Sequence, residues 1–199
     1  MPTEVILRSV YLLILLATLA ISGYYRRRAR LATGTIPRRA EGGAALFLRT
    51  LGALVMAASF LAYAFVPDVL EFARIGLPEW ARWLAVFLAI AGLFALRWVL
   101  RSIGSNISET VLTKQTHQLV TRGPYRWIRH PLYAFSLLQF ALLALVADNW
   151  YLLLLPCLAL VLIALVVIPR EEANLITAFG DEYTDYRDRT GALFPRVLR

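Results

Sequence analysis

Five nearly unbroken apolar stretches, at residues 5–21, 44–66, 80–100, 132–147 and 150–168, divide the chain, with polar or basic segments between them. About twenty apolar residues in a helix cross the hydrocarbon core of a bilayer, so each stretch reads as a spanning helix. The first resembles a signal peptide in length. Its positive cluster, Arg26-Arg27-Arg28 and Arg30, follows the apolar run instead of preceding it, which predicts a retained helix with its N-terminus outside. Residues 30–43 read as a basic loop broken by Gly34, Pro37 and Gly42-Gly43. Only Asp148-Asn149 separates the fourth and fifth stretches, which predicts a tight antiparallel hairpin. Pro169 is expected to end the fifth span or kink it. Beyond it, Leu175, Phe179, Tyr183 and Tyr186 recur every three or four residues, the mark of one apolar-aromatic helix face. The expected fold is an all-α integral membrane protein of about five transmembrane helices. It forms a single domain: an N-terminal span and basic loop at 1–43, two spans at 44–100, and a C-terminal half at 101–199.

Composition agrees. The chain of 199 residues is 59% hydrophobic with mean hydropathy +0.62, more apolar than a soluble domain requires. Its formal net charge is +8, and the basic residues are nearly all arginine. Five spans with an outside N-terminus put most of them on the inner side, as the positive-inside rule requires. Such an excess points to anionic lipids and not to nucleic acid. Cys157 lies alone in an apolar run, and His117 and His130 belong to no metal-ligand spacing, so no disulfide and no metal are expected. Gly-x-Gly-x-x-Gly, Gly-x-Ser-x-Gly and His-Glu-x-x-His are all missing from the sequence.

The densest chemistry lies at residues 121–133. Gly123-Pro124 marks a turn. Pro131 suits the first position of a helix, and His130 before it is pushed toward extended backbone. A helix start flanked by Arg126, Arg129 and His130 is a docking place for a carboxylate or phosphate. An interfacial belt of Tyr, Trp and Arg is the plainer reading of the same residues. Arg97, inside the third span, reads either as a functional intramembrane charge or as a side chain reaching back to the head groups.

Taken in order, several motifs resemble the isoprenylcysteine carboxyl methyltransferase family. They are His117-Gln118-Leu119-Val120, Gly123-x-Tyr125, Arg129-His130-Pro131-x-Tyr133, Arg170-Glu171-Glu172, Leu175, Phe179-Gly180-x-x-Tyr183-x-x-Tyr186 and Pro195. The resemblance runs from about residue 96 to 195. It implies a methyltransferase that uses S-adenosylmethionine on a lipophilic acceptor at the cytoplasmic face; the scarcity of lysine beside so many arginines points separately to a prokaryotic source, and so to an inner membrane. Under it, His117, Gln118, Leu119, Val120, Gly123 and Tyr125 would line the cofactor pocket. His130, Pro131 and Tyr133 would hold the amino-acid end of the cofactor, and Glu171 would accept from its ribose hydroxyls or amine. Arg170 would stand at the acceptor or the cofactor carboxylate, with Glu171, Glu172 or Tyr133 available to take a proton from an amine acceptor. Arg97 and Phe135 would face the acceptor. Phe135 stands where the family usually has glycine, which predicts a narrowed or reshaped acceptor channel. A phospholipid amine N-methyltransferase and an NADPH-dependent sterol reductase-like protein share parts of the pattern. The hairpin brings His130, at the entry of the fourth span, close to Glu171, just past the exit of the fifth. Glu172, one residue round the helix, is expected to matter less, and Tyr183 and Tyr186 are expected to pack rather than to bind.

Overall fold

The computed structural model describes residues 2–33, 43–104 and 119–196, and among these there are helices and turns but no strand. The helices are α1 (Pro2–Thr33), α2 (Gly43–Phe65), α3 (Glu79–Ile103), α4 (Pro131–Val146), α5 (Trp150–Leu162), α6 (Ile168–Phe179) and α7 (Asp181–Arg189). All five apolar stretches are helical. Among the described residues, three helices are long and apolar enough to cross a membrane: Thr3–Ala32, Glu79–Ile103 and Trp150–Phe179. A fourth candidate is a bent pair, in which Thr50–Phe65 meets a 3₁₀ turn at Pro67–Ala73 at 108°. The bend has a local cause: Pro67 cannot donate to the ladder, and Val66 before it leaves helical geometry at φ −137°. Helix α4 is shorter, at 16 residues.

Two expected boundaries are corrected. At 1.5 Å per residue the 32 residues of α1 extend about 48 Å, well beyond a hydrocarbon core of about 30 Å. Arg30 to Thr33 are therefore helical and not loop, and the arginine cluster rides on a helix that projects past its apolar part. At the other end Pro169 does not terminate the fifth segment. Residues 163–167 form one π turn, closed by Ile168 N–H donating to the Ile163 carbonyl, and the helix runs on into α6. A turn widened in this way accommodates the proline ring that would otherwise press on the preceding carbonyls.

The end of the bundle opposite the arginine cluster is bolted together by polar groups. Asp148 takes φ +56° in the α4–α5 turn. Its Oδ1 accepts from Gly76 N (3.0 Å) and Leu77 N (2.8 Å), and its Oδ2 from Arg74 Nε (3.1 Å). Asn149 caps α5 by accepting from Leu152 N and reaches back to the Leu70 carbonyl. Buried Arg82 donates to the Val146 carbonyl (3.0 Å) and forks onto the Glu4 carboxylate, so α1, α3 and the hairpin are tied at one point. Deeper in, Gln139 on α4 donates to the Ala89 carbonyl (3.1 Å) and to Thr18 Oγ1 (3.3 Å). Gly92 makes room for it, since a Cβ there would lie 2.1 Å from Gln139 Oε1. These clamps fix the far ends of α3, α4 and α5, and thereby aim their near ends at one another.

Candidate active site

At the near end, residues 121–133 lie across the mouths of α3 and α4. Gly123 takes φ +62°, and a Cβ there would come 2.5 Å from Ser102 Oγ, so this turn against α3 requires glycine. Pro124 and Tyr125 follow in a buried 3₁₀ turn, and Pro131 opens α4 with His130 as its N-cap residue. The C-terminal tail is laced to the same segment. Arg129 N donates to Gly191 O (2.8 Å), His130 N to Ala192 O (3.0 Å), and Gly191 N to Trp127 O (3.3 Å).

The hairpin geometry brings His130 to α6, as its topology predicts, and the imidazole sits between two carboxylates. Its Nε2 is 3.1 Å from Glu172 Oε1, and its Nδ1 is 3.6 Å from Glu171 Oε2, an ion-pair distance outside hydrogen-bond reach. Glu172 also accepts from Arg129 Nε at 2.8 Å. Arg129 in turn donates to the Arg187 carbonyl (2.9 Å) and to the Thr190 carbonyl, tying α7 to the cluster. Glu172 is thus the keystone of this knot, and Glu171 points past it.

The hollow beside Glu171 is walled by Ile103 on α3, Leu119, Val120 and Tyr125 from the connecting segment, and Tyr183 from α7. Among the described residues, three buried polar atoms in this wall have no hydrogen-bond partner: Tyr125 Oη, Tyr183 Oη and Glu171 Oε2. Each such orphan costs about 1–3 kcal/mol, so three around one hollow make it the candidate ligand site. Burial pushes the Tyr125 and Tyr183 phenols well above their ordinary range, with nearby Glu171 adding to it in both cases. Both therefore stay protonated and offer O–H donors. Tyr186 is pushed up to about 12, chiefly by burial, and spends its hydrogen on the Tyr125 carbonyl at 2.6 Å. The hollow is half open and its volume is about 70 Å³, well below the roughly 300 Å³ or more of pockets for drug-sized ligands.

His130 has its pKa raised. Burial works against the charged ring, but the carboxylates of Glu171 and Glu172 outweigh it. A raised folded-state pKa contributes stability that is fully present below the ordinary imidazole value, ~6.5, and lost as pH rises through the higher one. Thermal unfolding in detergent should therefore show stability falling as pH rises above about 6.5. His130→Gln should flatten that fall, and identical slopes for the two proteins would remove His130 from the titration.

Leu119, Val120, Tyr125, His130 and Glu171 thus line the hollow. Gly123 and Pro131 shape its approach. Tyr133 stacks on the His130 ring at 6.0 Å rather than lining the cavity. Phe135 is half-buried on α4 and Arg170 is exposed, both outside the lining, and Arg97 lines a different groove. His117 and Gln118 lie outside the described residues. Arg129 and Glu172 join His130 in a knot that the order of the motifs does not announce, and Tyr183, expected to pack, is buried and also lines the hollow. Leu175, Phe179, Tyr183 and Tyr186 do converge on the hollow, but not as one continuous helix: Gly180, at φ +55°, breaks it into α6 and α7. Among the described residues, no group of three or more His, Cys, Asp or Glu is placed to hold a metal.

Comparison with known proteins bears on the same region. Residues 83–177 match the model of the isoprenylcysteine carboxyl methyltransferase family. The chain is 37% identical over 84 residues to the cobalt-zinc-cadmium resistance protein CzcN of Cupriavidus metallidurans, a match covering 42% of this chain and 38% of that protein. It is 36% identical over 84 residues to the nickel-cobalt-cadmium resistance protein NccN of Alcaligenes xylosoxydans xylosoxydans, covering 42% of this chain and 39% of that protein. With YpbQ of Bacillus subtilis the identity is 32% over 69 residues, covering 34% and 41%. The chain therefore spans about two fifths of the length of the curated relatives it matches. Its fold matches the eukaryotic intramembrane Ras methyltransferase ICMT with a TM-score of 0.57 at 20% identity, covering 94% of this chain and 68% of that one.

Proposed function

Since residues 83–177 match the model of the isoprenylcysteine carboxyl methyltransferase family and the fold is shared with a member of it, we propose that this chain is a membrane methyltransferase that uses S-adenosylmethionine on a lipophilic acceptor. The observation that carries the proposal is the trio of unpartnered buried atoms, Tyr125 Oη, Tyr183 Oη and Glu171 Oε2, around one hollow. Their chemistry suits one end of that cofactor. Two phenolic donors and one carboxylate acceptor complement a group rich in hydroxyls, ammonium and carboxylate. Arg129 and His130 supply positive charge behind them.

When bound, S-adenosylmethionine supplies a methyl group already activated on a sulfonium. The protein's share is positioning and exclusion of water. Glu171 accepts from the cofactor's hydroxyls or amine. Tyr125 and Tyr183 donate to its acceptor atoms, and the apolar walls from Ile103, Leu119 and Val120 keep water out. Arg170, exposed one residue before Glu171, is placed to meet an acidic acceptor and can grip a carboxylate through two parallel bonds. A carboxylate acceptor requires no general base, and for an amine acceptor Glu171 is the nearest base to the hollow. We place this end of the bundle at the cytoplasmic face, because the arginines of α1, α3 and the connecting segment gather there.

Ligand-dependent thermal stabilisation tests the proposal directly. S-adenosylhomocysteine at about a hundred times its Kd should stabilise the purified chain by about 2.7 kcal/mol, and NADPH should leave it unmoved. Stabilisation by NADPH alone would replace methyl transfer with hydride transfer.

A further inference from the structure

A second and larger hollow, of about 960 Å³, lies between α1 and α3 on the same end of the bundle. It shares no lining residue with the hollow beside Glu171, although it ends at Gly104, next to Ile103 of the other wall. Arg97 and Arg101, one turn apart on α3, face Arg28 on α1 across it, with Tyr24 and Tyr25 beside Arg28. Like charges at this spacing repel, and none of the three arginines forms an ion pair among the described residues. The floor is apolar, from Ala20 and Ile21 among others. Both flanking helices are long and apolar enough to span the membrane, and Arg97 lies inside the span of α3. A cationic rim over an apolar floor, at the end of two spans, matches a ligand with an anionic head and hydrocarbon behind it.

We propose that this groove docks the head group of an anionic glycerophospholipid from the surrounding bilayer, its phosphodiester held by Arg28, Arg97 and Arg101. A phosphodiester offers oxygens that guanidinium groups take two at a time. Basic pockets between spanning helices recognise anionic head groups in this way. The first acyl carbons then continue down the floor toward the membrane core. This assignment is independent of the methyltransferase reading.

Lipid retention by the full chain tests it. The protein in detergent is mixed with phosphatidylglycerol or phosphatidylcholine, passed through gel filtration, and its bound lipid quantified by mass spectrometry. Phosphatidylglycerol should be retained over phosphatidylcholine. The double variant Arg97→Gln, Arg101→Gln should lose about 25-fold of that affinity, some five-fold per arginine. Arg97→Lys with Arg101→Lys should fall between wild type and the glutamine variant, since the charge stays and the paired bonds go, while Arg27→Gln, an exposed arginine outside the groove, should keep most of the affinity. If the double variant fails to fold, Arg28→Gln on the opposite wall gives the same reading with about a five-fold loss. Equal retention of the two lipids, or wild-type retention by the glutamine variants, would overturn the proposal. So would displacement of the lipid by millimolar inorganic phosphate, which would give the groove to a soluble anion.

Discussion

Glu172→Ala should destabilise the folded chain by about 3–5 kcal/mol, the cost of leaving a buried charge without its partner. Arg129 and Glu172 expose only 11% and 15% of their side chains, so solvent does little to soften the loss. The substitution strips a 2.8 Å bond from Arg129 and a 3.1 Å contact from the His130 ring at once. The effect should spread, because Arg129 also carries the carbonyls of Arg187 and Thr190 and so holds α7 in place. Thermal unfolding in detergent, with exposed Glu182→Ala as a control near wild type, measures it. Removing both charges with Arg129→Met and Glu172→Met should recover part of the loss, since an apolar pair leaves no orphan charge. A Glu172→Ala protein that melts with wild type would show that the knot is ornamental.

Glu171→Gln and Tyr183→Phe should behave in the opposite manner, weakening ligand binding while sparing the fold. Among the described residues Tyr183 Oη has no hydrogen-bond partner, and Glu171→Gln gives up only the 3.6 Å ion pair with His130 Nδ1. Loss of a charge-assisted hydrogen bond to the ligand should cost roughly 1.5–3 kcal/mol, or ten- to a hundred-fold in affinity for S-adenosylhomocysteine. For Tyr183→Phe, deleting an unsatisfied buried hydroxyl should hold or raise the stability of the free protein by about 1 kcal/mol. Calorimetric titration and thermal unfolding of the same samples read both signs. Wild-type affinity in both variants would mean that the ligand lies elsewhere.

These two adjacent glutamates show where the sequence is legible and where it is not. The apolar stretches, the hairpin forced by two linking residues, and the meeting of His130 with α6 all follow from composition and order. Which of Glu171 and Glu172 grips His130 and Arg129 does not. Neighbouring residues on a helix point about 100° apart, and their absolute direction depends on every turn before them. One of those turns is the π turn at 163–167, and Ile-Ala-Leu-Val-Val reads equally well in a regular helix. The extent of α1 was hidden for another reason. Arginine is a good helix former, so the end of the apolar run and the end of the helix need not coincide. Tyr183 kept its three-or-four spacing with Phe179, but Gly180 between them breaks the helix, and a periodicity count passes straight over it. The tail's bonds to residues 127–130 join Gly191 and Ala192 to a motif more than sixty positions away, with no sequence signal at either end.

The widened turn has a consequence for how this protein can change. Deleting one residue from 163–167 would turn an i→i+5 turn into an ordinary i→i+4 one. Helix α6 would keep nearly its present facing on α5, because a π turn spends five residues where an α turn spends four. The same deletion in the regular part of α5 would turn α6 by about 100° and shift it by about 1.5 Å, swinging both glutamates off the His130 ring. Length is therefore negotiable at one place only, and there the penalty falls on Pro169, whose ring would press on the preceding carbonyls once the turn had narrowed.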